Sequence, residues 1–260
     1  MEKVRVKAFA LLITTRCNYD CSFCFLKDKL EETDMTFSDF KRLIGEIKKF
    51  SRASGYPFEV GIAGGEPFLH PKAVEMISYA VKELGRKKVQ VTTNLSLFPT
   101  NRAEAIRLLE KMGLPEVNIS IDWEHARFGK SMPERINALC YAAEELKVKI
   151  GLITVVQNRQ QRRQLWPREI AGAMSRKLRK NAEFRLEQYS SKKAESIRLF
   201  LKNLGAGKKS SSTLSSKRPR VSSHDFLPNP AEVYFTPAGR TYFHSQVLAF
   251  NIPQLSLGNL

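Results

Sequence analysis

The chain reads as an α/β protein, a partial (β/α)6 TIM-type barrel with a small C-terminal hairpin appendage. Three observations predict this. Runs rich in branched and aromatic residues alternate with amphipathic helical runs through residues 1–190. A cysteine motif and a glycine motif follow the first two of those runs, at the strand ends where barrel chemistry collects. Composition then shifts to a basic, serine-rich stretch before a closing pair of strand-like segments.

Strands are expected at 8–15, 58–63, 88–93, 116–121, 148–155 and 183–188, and helices at 36–51, 71–84, 101–112, 133–146 and 161–180. Pro71 and Pro133 stand at first-turn positions, and Gly85 and Gly113 follow helix ends. Strict alternation of this kind demands right-handed crossovers and a parallel sheet. A further helix is expected at 192–204, running into a serine and lysine tract with almost nothing to bury, which composition marks as a linker. The expected organisation is a core over 1–190, a helix and basic linker over 191–223, and a small C-terminal unit over 224–260.

The excess positive charge is regional. Residues 157–223 hold 18 Lys and Arg against 4 Asp and Glu, a net of +14 within a chain total of +17. Such a segment suits RNA, an acidic leader peptide or an acidic protein, with affinity that falls as salt rises. Its blander role is solubility, and no nucleic-acid module accompanies it.

Three of the four cysteines stand together after the first strand, in Cys17-Asn18-Tyr19-Asp20-Cys21-Ser22-Phe23-Cys24. Spacings of three and two residues let one loop wrap three thiolates around one inorganic centre. An iron–sulfur cube with one open iron fits that spacing. Zinc fits it too, given Cys140 or a histidine as fourth ligand. Disulfides are disfavoured, because four cysteines in 260 residues without a secretory leader point to reduced thiols and a cytoplasmic protein. The longest apolar run, 8–13, is too short to cross a membrane.

After the second strand comes Gly64-Gly65-Glu66-Pro67. The glycines let backbone approach a ligand closely, the carboxylate can accept from an ammonium group, and the proline stiffens the exit. Taken with Cys17, Cys21, Cys24 and the aromatic Phe23, this turn resembles the radical S-adenosylmethionine (radical SAM) superfamily, whose hallmarks are C-x3-C-x-aromatic-C and GGEP.

The resemblance implies a [4Fe–4S] cluster on the three cysteines, with S-adenosylmethionine held near Phe23, Gly64, Gly65, Glu66 and Pro67. It implies reductive cleavage to a 5′-deoxyadenosyl radical that takes hydrogen from a substrate, and a flavodoxin- or ferredoxin-like electron donor. Both motifs fall on the same barrel rim, as do the polar ends of later strands. Asn94 ends the third, and Ser120, in a Ser-x-Asp segment similar to that of family members, ends the fourth. Arg127 matches an arginine that binds the cofactor carboxylate in relatives. The ordinary reading of Thr and Asn at such ends is as turn and cap formers. His125 reads as a loop residue, and Cys140 as a small buried apolar residue of a helix.

Residues 231–244 read as a hairpin around Pro237-Ala238-Gly239 and resemble the opening of a SPASM or twitch extension, with the closing Gly258-Asn259-Leu260 similar to its end. His244 stands where a cysteine is expected, and no cysteine follows Cys140, so an auxiliary cluster cannot be built in the usual way. The expectation is a trimmed or truncated extension, and with it an active enzyme or an inactive remnant. A peptide or protein substrate is favoured. RNA or nucleobase modification, protein-radical activation and a zinc-dependent nucleic-acid-binding protein are the alternatives.

Overall fold

The computed structural model describes residues 8–24, 32–54, 58–128 and 131–156, and beyond them the backbone of five short strands. The order is β1 (Ala8–Thr14), α1 (Phe37–Ser54), β2 (Glu59–Gly64), α2 (Ala73–Leu84), β3 (Val89–Thr93), α3 (Arg102–Met112), β4 (Glu116–Ser120), α4 (Trp123–Phe128), α5 (Met132–Leu146) and β5 (Lys149–Val156). Strands β6 (Glu187–Ser190), β7 (Glu195–Phe200), β8 (Glu232–Phe235), β9 (Arg240–Phe243) and β10 (Gln246–Asn251) follow.

Strands β1 to β5 lie side by side in parallel, each joined to the next through at least one helix. Side chains alternate along each strand between the two faces of the sheet. Phe9, Leu11, Ile13, Val60, Ile62, Val91, Val117, Ile119 and Leu152 are buried in one hydrophobic core with Phe40, Ile44 and Ile47 of α1, Met76 and Ile77 of α2, Leu109 of α3 and Leu139 of α5. Apart from Leu12, the residues between them on β1 to β4 are small or polar, among them Ala10, Gly61, Gln90, Thr92 and Asn118. The helices therefore cover one face, and the polar face is left for ligands. Cys140 packs against this core from α5, partly buried, as the helical pattern implies.

Helix ends obey local chemistry. Asn101 caps α3 by accepting from the Ala103 and Glu104 N–H groups at 2.9 and 3.2 Å. Pro133 lies in the first turn of α5, whereas α2 starts at Ala73, two residues past Pro71. Helix α5 closes on Lys147 at φ 55°, a left-handed conformation that favours glycine. Lys147→Gly is expected to raise stability by about 0.5 kcal/mol, the relief of side-chain strain exceeding glycine's added chain entropy. A higher urea midpoint at unchanged slope is the check.

Beyond β5 the sheet departs from expectation. Segment 195–200, inside the expected helix 192–204, is strand β7, antiparallel to β5. Ile197 and Leu199 alternate with Ser196 and Arg198, so a period of two wins over the helical period. Strand β6 overlaps the expected strand 183–188 but pairs antiparallel with β7 instead of extending the parallel set. The expected helix 161–180 lies outside the described residues.

The C-terminal hairpin forms, with β8 and β9 antiparallel, and β10 adds a third strand to it. Its first strand is not set apart from the core: β8 pairs in parallel with β1, from Ala8 opposite Glu232 to Leu11 opposite Phe235. The sixth parallel strand is thus β8, at the β1 edge. The sheet runs β10-β9-β8-β1-β2-β3-β4-β5-β7-β6. Among the described residues no helix is long and apolar enough to cross a membrane.

Candidate active site

The cysteine loop leaves the C-terminal end of β1, and its root is fastened on three sides. Thr14 donates its hydroxyl to Asp34 Oδ1 at 2.6 Å, and Arg16 grips both Asp34 oxygens at 3.0 and 2.7 Å. The same guanidinium donates to the Leu69 carbonyl at 2.8 Å. Burial of Asp34 is outweighed by these donors, which hold its carboxyl below the usual range.

Two backbone bonds join the glycine turn to that root. Gly65 N–H donates to the Thr14 carbonyl at 2.9 Å, and Glu66 N–H to the Arg16 carbonyl at 2.8 Å. A Cβ at Gly64 would fall 2.4 Å from the Thr14 oxygen, and one at Gly65 2.2 Å from the Arg16 oxygen. The glycines are there so that the turn can lie on the backbone of the cysteine loop. The close approach that these glycines permit in this structure is to the chain's own backbone.

Glu66 is fully buried. One carboxylate oxygen accepts from Phe68 N–H at 3.1 Å and from the Thr93 hydroxyl at 2.8 Å, and the other accepts from Asn94 N–H at 2.7 Å. Burial pushes its pKa up to about 7 against the pull of these three donors. The side chain read as an acceptor for a ligand ammonium thus fastens β2 to the end of β3. Pro67, also buried, opens the short 3₁₀ turn Pro67–Leu69 that follows.

Asn94 crosses back to the loop. Its amide donates to Asn18 Oδ1 at 3.0 Å and lies 3.8 Å from Cys17 Sγ, while its oxygen accepts from Ser96 N–H at 2.9 Å. The next residue, Leu95, is buried at φ 65°, a strained turn that aims Asn94 inward. Cys17 Sγ also accepts from the Tyr19 N–H at 3.5 Å. Cys17, Cys21, Phe23, Gly64 to Pro67 and Asn94 therefore converge on one rim, built from the ends of β1, β2 and β3. Ser120 closes β4 half-buried on the same side of the sheet, while Arg127 is exposed, its guanidinium 4.9 Å over the Phe128 ring.

Short helix α4 is absent from the sequence-based expectation. Asp122 Oδ1 starts it by accepting from the Glu124 and His125 N–H groups at 2.9 and 3.0 Å. His125, read from sequence as a loop residue, is buried there, with Nδ1 2.7 Å from Asp122 Oδ2 and Nε2 4.0 Å from Cys21 Sγ. The available signal was an aspartate three residues ahead of a histidine, an N-cap spacing hidden by the helix's six-residue length.

The donor set suits an iron–sulfur cluster. Burial raises the Cys17 thiol pKa, helped by the charges of Glu66 and Cys24. Burial, with Asp122, Glu124, Cys17 and Cys24, pushes the Cys21 thiol up to about 12. Mutual repulsion among thiolates is the cost that bound iron relieves, as proton release on ligation requires. Among the described residues no three His, Cys, Asp or Glu side chains are gathered tightly enough to grip a metal ion.

The profile of the radical SAM superfamily matches residues 11–162, more than half of the chain, which belongs to that superfamily. Its cofactors are a [4Fe–4S] cluster and S-adenosylmethionine, which favours the iron–sulfur reading of the three cysteines over zinc. The chain is 33% identical over 118 residues to a probable GTP 3′,8-cyclase of Methanococcus maripaludis, across 45% of this chain and 37% of that protein. It is 27% identical over 141 residues to the subtilosin biosynthesis protein AlbA of Bacillus subtilis, across 52% of this chain and 29% of that one. Among solved structures, Streptococcus suis SuiB bound to S-adenosylmethionine aligns at 21% identity with a TM-score of 0.43, over 56% of this chain and 33% of SuiB. The match thus spans well under half of each of these proteins.

Proposed function

We propose that the chain is a radical SAM enzyme that uses one cluster, held by Cys17, Cys21 and Cys24, to begin hydrogen abstraction from a peptide or protein. When bound, the cluster supplies the electron that cleaves S-adenosylmethionine to a 5′-deoxyadenosyl radical. The observation that carries this reading is the pair of backbone bonds from Gly65 and Glu66 to Thr14 and Arg16, which make the two motifs one site.

The chain's own residues have distinct tasks. Gly64 and Gly65 bring the second motif against the first, Glu66 ties that junction to β3, and Asn94 faces the Cys17 sulfur. Ser120 and Arg127 are assigned to the cofactor's polar groups, and Phe23, beside His125, to the wall that keeps water from the loop. A flavodoxin- or ferredoxin-like protein is the proposed electron donor.

One feature favours a peptide substrate, the similarity to AlbA, named for bacteriocin biosynthesis. A nucleotide substrate is the second reading, favoured by similarity to GTP 3′,8-cyclase. Anaerobic reconstitution with iron and sulfide, dithionite reduction and an assay for 5′-deoxyadenosine test the enzyme claim. Product is expected from wild type and at least a hundredfold less from Cys21→Ala, the scale at which losing a residue of a catalytic unit is felt. Brown protein without nucleoside product under any reductant sinks the claim. Product stimulated by GTP and by no peptide moves the substrate to the second reading.

A further inference from the structure

Helix α4 grips the cysteine loop through three side chains on one face. Glu124 Oε2 accepts from the Ser22 N–H at 2.6 Å, and its Oε1 accepts from the Ser22 hydroxyl. The His125 ring, fixed by Asp122, faces the Cys21 sulfur at 4.0 Å. Phe128 stacks on Tyr19 with centroids 5.2 Å apart and planes 27° from parallel, while Tyr19 meets the His125 ring edge-on at 5.7 Å. Residues 124, 125 and 128 share a helical face by their spacing. Their partners, residues 22, 21 and 19, run along the loop in the opposite sense.

We propose that α4 is a clamp that presets the cysteine loop for its cluster, with Glu124, His125 and Phe128 as positioning residues for Cys21. The inference rests on the reading that Cys17, Cys21 and Cys24 hold the cluster. A loop already held by side chains loses less freedom when it binds, and so binds more tightly. Groups that orient metal ligands typically carry 10- to 100-fold of metal affinity. Asp122 does two things with its two oxygens, starting the helix with one and aiming the histidine with the other. Because α4 begins three residues past Ser120, the clamp also ties the loop to the strand end assigned to S-adenosylmethionine.

The test uses the full chain, reconstituted anaerobically. Three quantities are read: iron and sulfide per chain, the rate at which a chelator removes the iron, and the electron paramagnetic resonance spectrum of the reduced protein. Glu124→Ala, His125→Ala and Phe128→Ala are expected to release iron about 10- to 100-fold faster than wild type. Glu124→Gln keeps an acceptor for Ser22 and is expected to recover most of the loss. Ser22→Ala removes the hydroxyl half of the same link and keeps the N–H half, from an exposed position with little risk to folding, and is expected to speed release several-fold, less than Glu124→Ala does. Thermal melting of the metal-free Ser22→Ala and Glu124→Gln proteins is expected to match wild type, which separates positioning from general stability. Wild type that loads iron, beside variants that release it at the wild-type rate with the wild-type spectrum, overturns the clamp alone. A wild-type chain that takes up no iron overturns the cofactor reading, and the clamp with it.

Discussion

Replacing Gly65 by alanine is expected to yield a chain that folds poorly and takes up no iron. The added Cβ would stand 2.2 Å from the Arg16 oxygen, 2.5 Å from the Arg16 carbonyl carbon and 2.8 Å from the Thr15 oxygen. All three are backbone atoms, so no side chain can turn aside. Either the end of β2 or the root of the cysteine loop must move, and both backbone bonds between them break. Overpacking of this kind costs about 1–3 kcal/mol and each lost bond about 1 kcal/mol more, a total in the severe tail of single substitutions. Urea unfolding of the metal-free protein and iron content after reconstitution are the measurements. Wild-type iron content together with a stability loss under 0.5 kcal/mol would show that the two motifs do not need this contact.

Removing the Glu66 carboxylate is expected to cost nearly as much, by a different route and with a dependence on pH. In Glu66→Ala the N–H groups of Phe68 and Asn94 and the Thr93 hydroxyl lose their acceptor. Buried donors left unpaired cost about 1–3 kcal/mol each, less where water enters, so roughly 3 kcal/mol is expected at pH 5. The sign of the pH effect follows from proton binding. Burial raises the Glu66 pKa from 4.5 to about 7, so the folded chain holds more protons than the unfolded one between those values.

Stability from this group is therefore full below pH 4.5, declines as pH rises through that interval, and is gone above about 7. The change is on the order of 3 kcal/mol. The alanine variant lacks this slope, so the gap between the two metal-free proteins should narrow toward pH 8. Parallel stability curves from pH 5 to pH 8 would show that Glu66 does not titrate in the folded chain.

Much of the barrel could be read from the chain because its signals are local. Strands β1 to β5 declare themselves by branched residues, and α3 by Asn101 before it and Gly113 after it. Cys17, Cys21, Cys24 and the glycine turn stand out in the chain as local motifs, and it is their combination, more than the cysteine spacing alone, that resembles the superfamily. What escaped depends on contacts distant in sequence. No local pattern shows that Gly65 needs room for Arg16, or that Glu66 spends its oxygens on Asn94 and Thr93. Helix α4 is too short to show a period, which hid His125. Strand β7 looked helical because Lys192, Lys193 and Leu204 extend a plausible amphipathic frame around Ile197 and Leu199. Its strand state is set by the open edge of β5, which offers unpaired backbone groups to any extended segment.

The pairing of β1 with β8 has a bearing on how the chain is made. Ala8 leaves the ribosome well over two hundred residues ahead of its partner Glu232. Until then the strand that launches the cysteine loop has one exposed edge, open to mispairing with any extended segment nearby. Contacts of such long sequence separation also form slowly, since loop closure precedes any gain from pairing. Cells that produce this protein therefore hold, between the synthesis of β1 and that of β8, a nascent barrel whose cysteine loop hangs from an unfinished sheet.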